Sequence, residues 1–135
     1  MKIAIRYYSE SGNTKKLADK ISEVTGSPAK TVDTPIDENV DVLFLGSAVY
    51  GGGVKDEVKN FISALDPEKV KKVVCFSTAA LMPSSYSQVA KLLKAQNISV
   101  DDKEFHCRGE FKFVHKGRPN EQDLSDLEAF VHHVI

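Results

Sequence analysis

The chain has 135 residues, of which 41% are hydrophobic and 27% charged, the size and composition of one globular domain. A formal net charge of -1 produces no strong overall field that would favour nucleic acid or anionic membranes, so any partner must be recognised by local patches. The two cysteines are too few for a disulfide framework, and no apolar run is long enough to cross a bilayer. We therefore expect a single cytoplasmic domain over residues 1–135, with neither nucleic acid nor a membrane as its partner.

The first third of the chain alternates short apolar runs with one segment of helical period. Strands are predicted over residues 2–8, 29–32 and 41–45, and a helix over 14–25 that stops at Gly26. The connection over residues 33–40 is too short for a full helix and contains Pro35. We expect one turn there at most, which leaves one flank of the sheet thinly covered.

The remaining two thirds continue the same alternation. Apolar residues at three- and four-residue spacing predict helices over 54–65, 85–97 and 120–134. Further strands are predicted over 70–77 and 104–114, the second bent near Gly109 because glycine inside a strand often marks a bulge. Alternating strands and helices indicate an α/β fold with a parallel sheet.

Polar residues and a glycine follow the first strand and lead into the first helix, in the order Ser9, Glu10, Ser11, Gly12, Asn13 and Thr14. Unpaired N–H groups and the positive end of the helix dipole suit an anion at this place, above all a phosphate. Ser, Asn and Thr are also the usual helix caps, so a helix with many capping residues is the alternative.

A glycine-rich segment follows the third strand and includes Ala48, Val49, Tyr50, Gly51, Gly52 and Gly53. Three consecutive glycines permit positive φ angles and the close approach of a flat ligand. Tyr50 offers an aromatic face for stacking. The alternative is a flexible turn in which Tyr50 covers the core. The long segment after the fourth strand, residues 77–85, says little by itself.

These segments resemble the flavodoxin family. Residues 9–14 match the phosphate loop [ST]-x-[ST]-G-N-T, and residues 46–52 resemble the second flavin loop, which is often G-[ST]-x-x-Y-G. The resemblance implies a five-stranded parallel sheet of order 2-1-3-4-5 with flavin mononucleotide (FMN) bound where the strand order reverses. Because residues 104–114 carry no long insertion, the chain resembles the short-chain class.

The resemblance also implies a role for each segment. Residues 9–14 would hold the FMN phosphate, residues 48–53 would lie along the isoalloxazine ring, and Thr78 and Ala79 would approach its pyrimidine edge. The family's function implies an electron carrier that takes FMN through oxidised, semiquinone and hydroquinone states and serves redox partner proteins. No catalytic residue and no metal site are expected.

Two departures from the family pattern leave other functions open. Flavodoxins are usually strongly acidic, and their third loop often carries an acidic residue and an aromatic, whereas residues 78–85 have neither. An FMN-dependent reductase of a quinone, a porphyrinogen-like compound or another small acceptor is the first alternative. A flavin-free interaction module on the same fold is the second.

Overall fold

The computed structural model describes residues 1–49, 53–80, 84–111 and 114–135. Its elements, in chain order, are β1 (Ile3–Tyr7), α1 (Asn13–Thr25), β2 (Ala29–Thr31), β3 (Val42–Val49), α2 (Asp56–Ser63), β4 (Val73–Ala79), α3 (Tyr86–Ala95), β5 (Phe105–Arg108) and α4 (Glu121–Val134). Within the described residues, no helix is both long and apolar enough to cross a membrane.

The five strands form one parallel sheet in the order β2-β1-β3-β4-β5, which confirms the predicted fold. The order reverses between β1 and β3, where Tyr7 lies opposite Gly46. On the other side of β3, Val49 lies opposite Ala79 of β4. The C-terminal ends of these strands therefore meet at one edge of the sheet, which we call the carboxyl edge.

Helices cover both faces of the sheet and bury two apolar layers. Helices α1 and α4 pack over Ile5, Phe44 and Phe76, whereas α2 and α3 pack over Leu43 and Val73. Successive residues within β3, and likewise within β4, pack into opposite layers because successive strand residues point to opposite faces. Burial on both faces explains the continuous apolar run of the third strand.

The central strands are longer at the carboxyl edge than the sequence predicts. β3 continues past Leu45 to Val49, and β4 continues past Ser77 to Ala79. Ala48, Val49, Thr78 and Ala79, expected in loops, are thus the last residues of β3 and β4. Buried hydroxyl groups need a hydrogen-bond partner, and those of Ser47 and Thr78 find theirs on other elements.

The fifth strand is shorter than predicted, because it ends at Arg108 rather than continuing to Val114. Phe111 and Val114 instead exchange two backbone hydrogen bonds of 3.0 and 2.9 Å in an isolated antiparallel bridge. The backbone at Phe111 is thus antiparallel to that at Val114, which excludes a single strand that continues to Val114.

The connection between β2 and β3 forms turns and no helix, which confirms the thin flank. A buried arginine of β1 holds it in place: the Arg6 guanidinium donates to the carbonyls of Thr34, Ile5 and Pro35 at 2.7, 3.0 and 3.2 Å. An open groove of about 350 Å³ remains between this connection and α2. Arg6 thus anchors this connection to the sheet in the absence of a covering helix.

Candidate functional site at the carboxyl edge

The segment between β1 and α1 turns sharply into the helix at Gly12. Gly12 has a φ angle of +91°, a conformation that costs a residue with a side chain about 1–2 kcal/mol. Its N–H donates to the Ser9 hydroxyl at 3.0 Å, and its carbonyl accepts from Lys16 N–H at 3.1 Å. A β-carbon at Gly12 would meet no atom within 4 Å, so the backbone conformation is what requires glycine.

The N-terminus of α1 carries no side-chain cap and no acidic residue in its first turn. The opposite holds for α4, where Asn120 and Asp123 form a reciprocal capping box. The first N–H groups of a helix have no acceptor within the helix, so those of α1 face the carboxyl edge as donors. The structure therefore does not support the alternative in which the side chains of residues 9–14 cap α1.

Two side chains of the loop tie it to other elements. The fully buried Thr14 hydroxyl lies 2.9 Å from the Thr78 hydroxyl at the end of β4. The Asn13 amide donates to the carbonyl of Glu110 at 2.9 Å. The hydroxyls of Thr14 and Thr78, predicted for different parts of a ligand, thus bond to each other and link the loop to the sheet.

A narrow crevice joins residues from three of the predicted segments. It measures about 20 Å³ and is lined by Asn13, Ala48, Thr78, Ala79, Ala80, Gly109, Glu110 and Phe111. Such a volume holds about one water molecule. The crevice is therefore too small to enclose a flat ring.

The segment after β5 is the part of this site that the sequence analysis missed. A β-carbon at Gly109 would lie 2.7 Å from the Asn13 side-chain nitrogen, so Gly109 permits the close passage of the chain over the loop. The sequence predicts a bulge at Gly109, whereas the structure shows that glycine at this position allows contact with Asn13. The adjacent Arg118 belongs to the scaffold, since it pairs with Asp123 at 2.6 Å.

A second hollow, of about 400 Å³, opens beside β1. Its lining includes two predicted site residues, Glu10 and Gly53, together with Tyr8, Val54, Lys55, Asp56, Glu57 and Lys59. Its volume lies within the range of small-molecule sites, about 300–1,000 Å³. The structure therefore brings the first loop and the end of the glycine-rich segment to the same hollow.

The Glu10 carboxylate is engaged by neighbours in this hollow. It accepts a hydrogen bond of 2.9 Å from the Tyr8 hydroxyl and lies 3.7 Å from the Lys55 ammonium. The hydrogen bond to Glu10, with a further contribution from Glu57, raises the pKa of Tyr8. Tyr8 is therefore a neutral donor at physiological pH, and Glu10 acts as an acceptor.

Part of the predicted site lies outside the described residues, namely Tyr50, Gly51 and Gly52, as do Leu81 and Met82 of the third loop. Gly53 is described and has a φ angle of +87°. Positive φ at this position agrees with the expectation that the glycine-rich segment needs left-handed backbone.

The two cysteines are poor nucleophiles. Burial, with smaller contributions from nearby carboxylates, raises the pKa of Cys75 to about 12. Burial likewise raises the pKa of Cys107 to about 12, so both thiols stay protonated at neutral pH. No cluster of three or more metal-ligating side chains occurs among the described residues.

Comparisons with known proteins agree on one family and one fold. The sequence profile of the family described as "Flavodoxin domain" matches residues 4–117, whereas no curated protein sequence matches the chain. A flavodoxin from the domain Archaea is 16% identical with a TM-score of 0.80, covering 99% of this chain and 96% of that one. Oxidised Flavodoxin 2 from Bacillus cereus is 19% identical with a TM-score of 0.72, covering 98% and 96%.

Larger proteins contain the same fold as a part. Rubredoxin oxygen:oxidoreductase from Desulfovibrio gigas is 14% identical with a TM-score of 0.73, covering 97% of this chain but 34% of that chain. At these identities the structural similarity shows a shared fold only. Membership of the family is shown by the match to the family profile.

Proposed function

Because the chain belongs to the flavodoxin family, whose members bind FMN and transfer electrons to partner proteins, we propose that it is an electron carrier with FMN bound at the carboxyl edge. In this proposal FMN passes between its oxidised, one-electron-reduced and two-electron-reduced states. The observation that carries the proposal is the uncapped N-terminus of α1 at the point where the strand order reverses.

The residues of the first loop fit a phosphate. Gly12 turns the backbone without a side chain in the way, and no carboxylate in the first turn of α1 repels an anion. Glu10, the one acidic residue of the loop, has its carboxylate next to Tyr8 and Lys55. We assign the phosphate to the backbone and hydroxyl donors of residues 9–14.

The remaining predicted residues would hold the ring. Ala48, Val49 and Gly53 bound the segment assigned to its face, with Tyr50, Gly51 and Gly52 between them. Thr78 and Ala79 would lie next to its pyrimidine edge, where the Thr78 hydroxyl, paired with that of Thr14, fixes the end of β4. When bound, FMN supplies the redox chemistry, and the chain contributes binding, orientation and electrostatics.

The test is titration of the apoprotein with FMN and with riboflavin, which lacks the phosphate. We expect FMN to bind more tightly than riboflavin, with quenching of the flavin fluorescence. An apoprotein that binds neither flavin would contradict the proposal and support the interaction module. Steady oxidation of NAD(P)H by the purified holoprotein alone would instead favour the reductase.

Three further points remain predictions from the sequence. We propose that residues 1–135 act as one domain, that the carrier works in the cytoplasm, and that its partners are redox proteins rather than nucleic acid or a membrane.

A further inference from the structure

The first turn of α3 is hydrogen-bonded to both ends of the segment assigned to the flavin ring. The Ser85 hydroxyl, at the N-cap of α3, lies 2.6 Å from the Ser47 hydroxyl, one residue before Ala48. The Gln88 carboxamide oxygen accepts from the N–H of Val54 at 3.1 Å, one residue after Gly53. The two contacts therefore enclose residues 48–53.

The two side chains share one face of the same helical turn, since they are three residues apart. Gln88 also lies against the backbone of Gly53, because a β-carbon at Gly53 would come within 2.9 Å of the Gln88 oxygen. Glycine at position 53 thus allows both the positive φ angle and the close packing of Gln88. A larger residue would displace the amide.

Ser85 and Gln88 differ in burial, and this difference separates their roles. Ser47 and Ser85 are buried, with exposures of 2% and 3%, so their hydroxyl pair fixes the end of β3 inside the protein. Gln88 is exposed and adds nothing to either apolar layer. Its hydrogen bond orders the backbone of Gly53 and Val54 without being required for the packing of the core.

We propose that Ser85 and Gln88 are positioning residues that fix Ala48 and Gly53, the two ends of the ring-binding segment, before the cofactor arrives. This inference depends on the proposed function, since it concerns the same site. Fixing a binding residue costs conformational entropy, and Ala48 and Gly53 lose less of it on binding if they are already held in place in the apoprotein. The gain appears as affinity for the flavin ring and is independent of the phosphate.

The experiment compares wild type with Gln88→Met, which keeps the length of the side chain and removes the strong acceptor. Loss of one neutral hydrogen bond corresponds to a change in affinity of about two- to tenfold. We expect this loss for FMN and for riboflavin alike, because Gln88 acts on the ring side. Equilibrium unfolding of the apoprotein by urea should change little, because Gln88 is exposed.

Gln96→Met is the matched control. Gln96 is the C-cap of α3 and donates to the Ser63 carbonyl of α2 at 3.1 Å, at the opposite end of α3 from Ser85 and Gln88. We expect wild-type affinity for both flavins. Gln88→Glu, which retains an oxygen acceptor, should restore riboflavin binding relative to Gln88→Met. Riboflavin is the probe here because it has no phosphate for the new carboxylate to repel.

Ser85→Ala gives a second, independent variant, and it should also weaken both flavins. If Gln88→Met binds both flavins as wild type does, or if Gln96→Met weakens them equally, the positioning role is overturned while the proposed function stands. A wild-type apoprotein that binds neither flavin overturns both.

Discussion

Replacing Ser11 with Asp places a carboxylate beside the uncapped N-terminus of α1, where the proposed phosphate binds. Two unit charges about 4 Å apart interact by about 1 kcal/mol in bulk water. Ser11 is exposed, so this high-dielectric figure applies, and a phosphate monoester carries close to two charges at neutral pH. The repulsion is therefore about 2 kcal/mol, which corresponds to about a thirtyfold loss of FMN affinity.

The same substitution should have the opposite effect on the apoprotein. A negative charge near the N-terminus of a helix stabilises it by about 0.3–1 kcal/mol, and α1 has no acidic residue in its first turn. We expect the free energy of unfolding of the apoprotein to stay the same or to rise slightly while FMN binding weakens. A substitution that simply disrupts the fold would instead lower both the free energy of unfolding and the affinity for FMN.

Fluorescence titration with FMN and riboflavin measures the effect, and Ser11→Asn is the matched control of nearly the same shape without the charge. Riboflavin should bind both variants equally. The difference between Asp and Asn for FMN should shrink in high salt, because an exposed pair of charges is screened. If Ser11→Asp binds FMN within about threefold of Ser11→Asn at low salt, residues 9–14 do not hold the phosphate.

Three other substitutions or measurements test the scaffold of the site. Thr78→Val leaves the buried Thr14 hydroxyl without its 2.9 Å partner and should lower the free energy of unfolding by about 1–3 kcal/mol; Thr78→Ser, which keeps a hydroxyl, should be milder in the same urea titration. Cys75, with a pKa raised to about 12, should resist a thiol reagent at pH 8 and react once urea unfolds the protein; rapid labelling of the native protein would contradict its burial. The hydrogen bond from Arg118 lowers the pKa of Asp123 below 3.8, so its contribution to stability is complete above that pH and is lost as the pH falls through the lowered value. Asp123→Asn should therefore be less stable at pH 7 and lose less stability on acidification, as followed by thermal unfolding at several pH values.

The sequence predicted the fold well because local signals and the global pattern agree. Gly26 stops α1 in the left-handed conformation expected at a helix end, and Asn120 begins α4 with a capping box. The alternation of strands and helices then leads to the observed sheet order. Each of these signals lies within a few residues of the feature that it specifies.

The ends of β3 and β4 were mispredicted because their signals are distant in sequence. Serine and threonine favour loops when their hydroxyls face water, yet Ser47 is paired with a residue 38 positions away and Thr78 with one 64 positions away. A single sequence does not reveal such pairs. The approach of Gly109 to Asn13, across 96 positions, was missed for the same reason.

The arginine that holds the thin flank has a consequence for self-association. β2 is an edge strand of three residues, and edge strands and their short connections are where local opening costs least. If β2 separates, β1 becomes the edge of the sheet and exposes backbone groups that another chain could pair with. Arg6 would then present its charge on that new edge, and an inward-pointing charge is one of the means by which proteins prevent edge-to-edge pairing. The residue that secures the closed flank would therefore also disfavour edge-to-edge pairing if that flank opened.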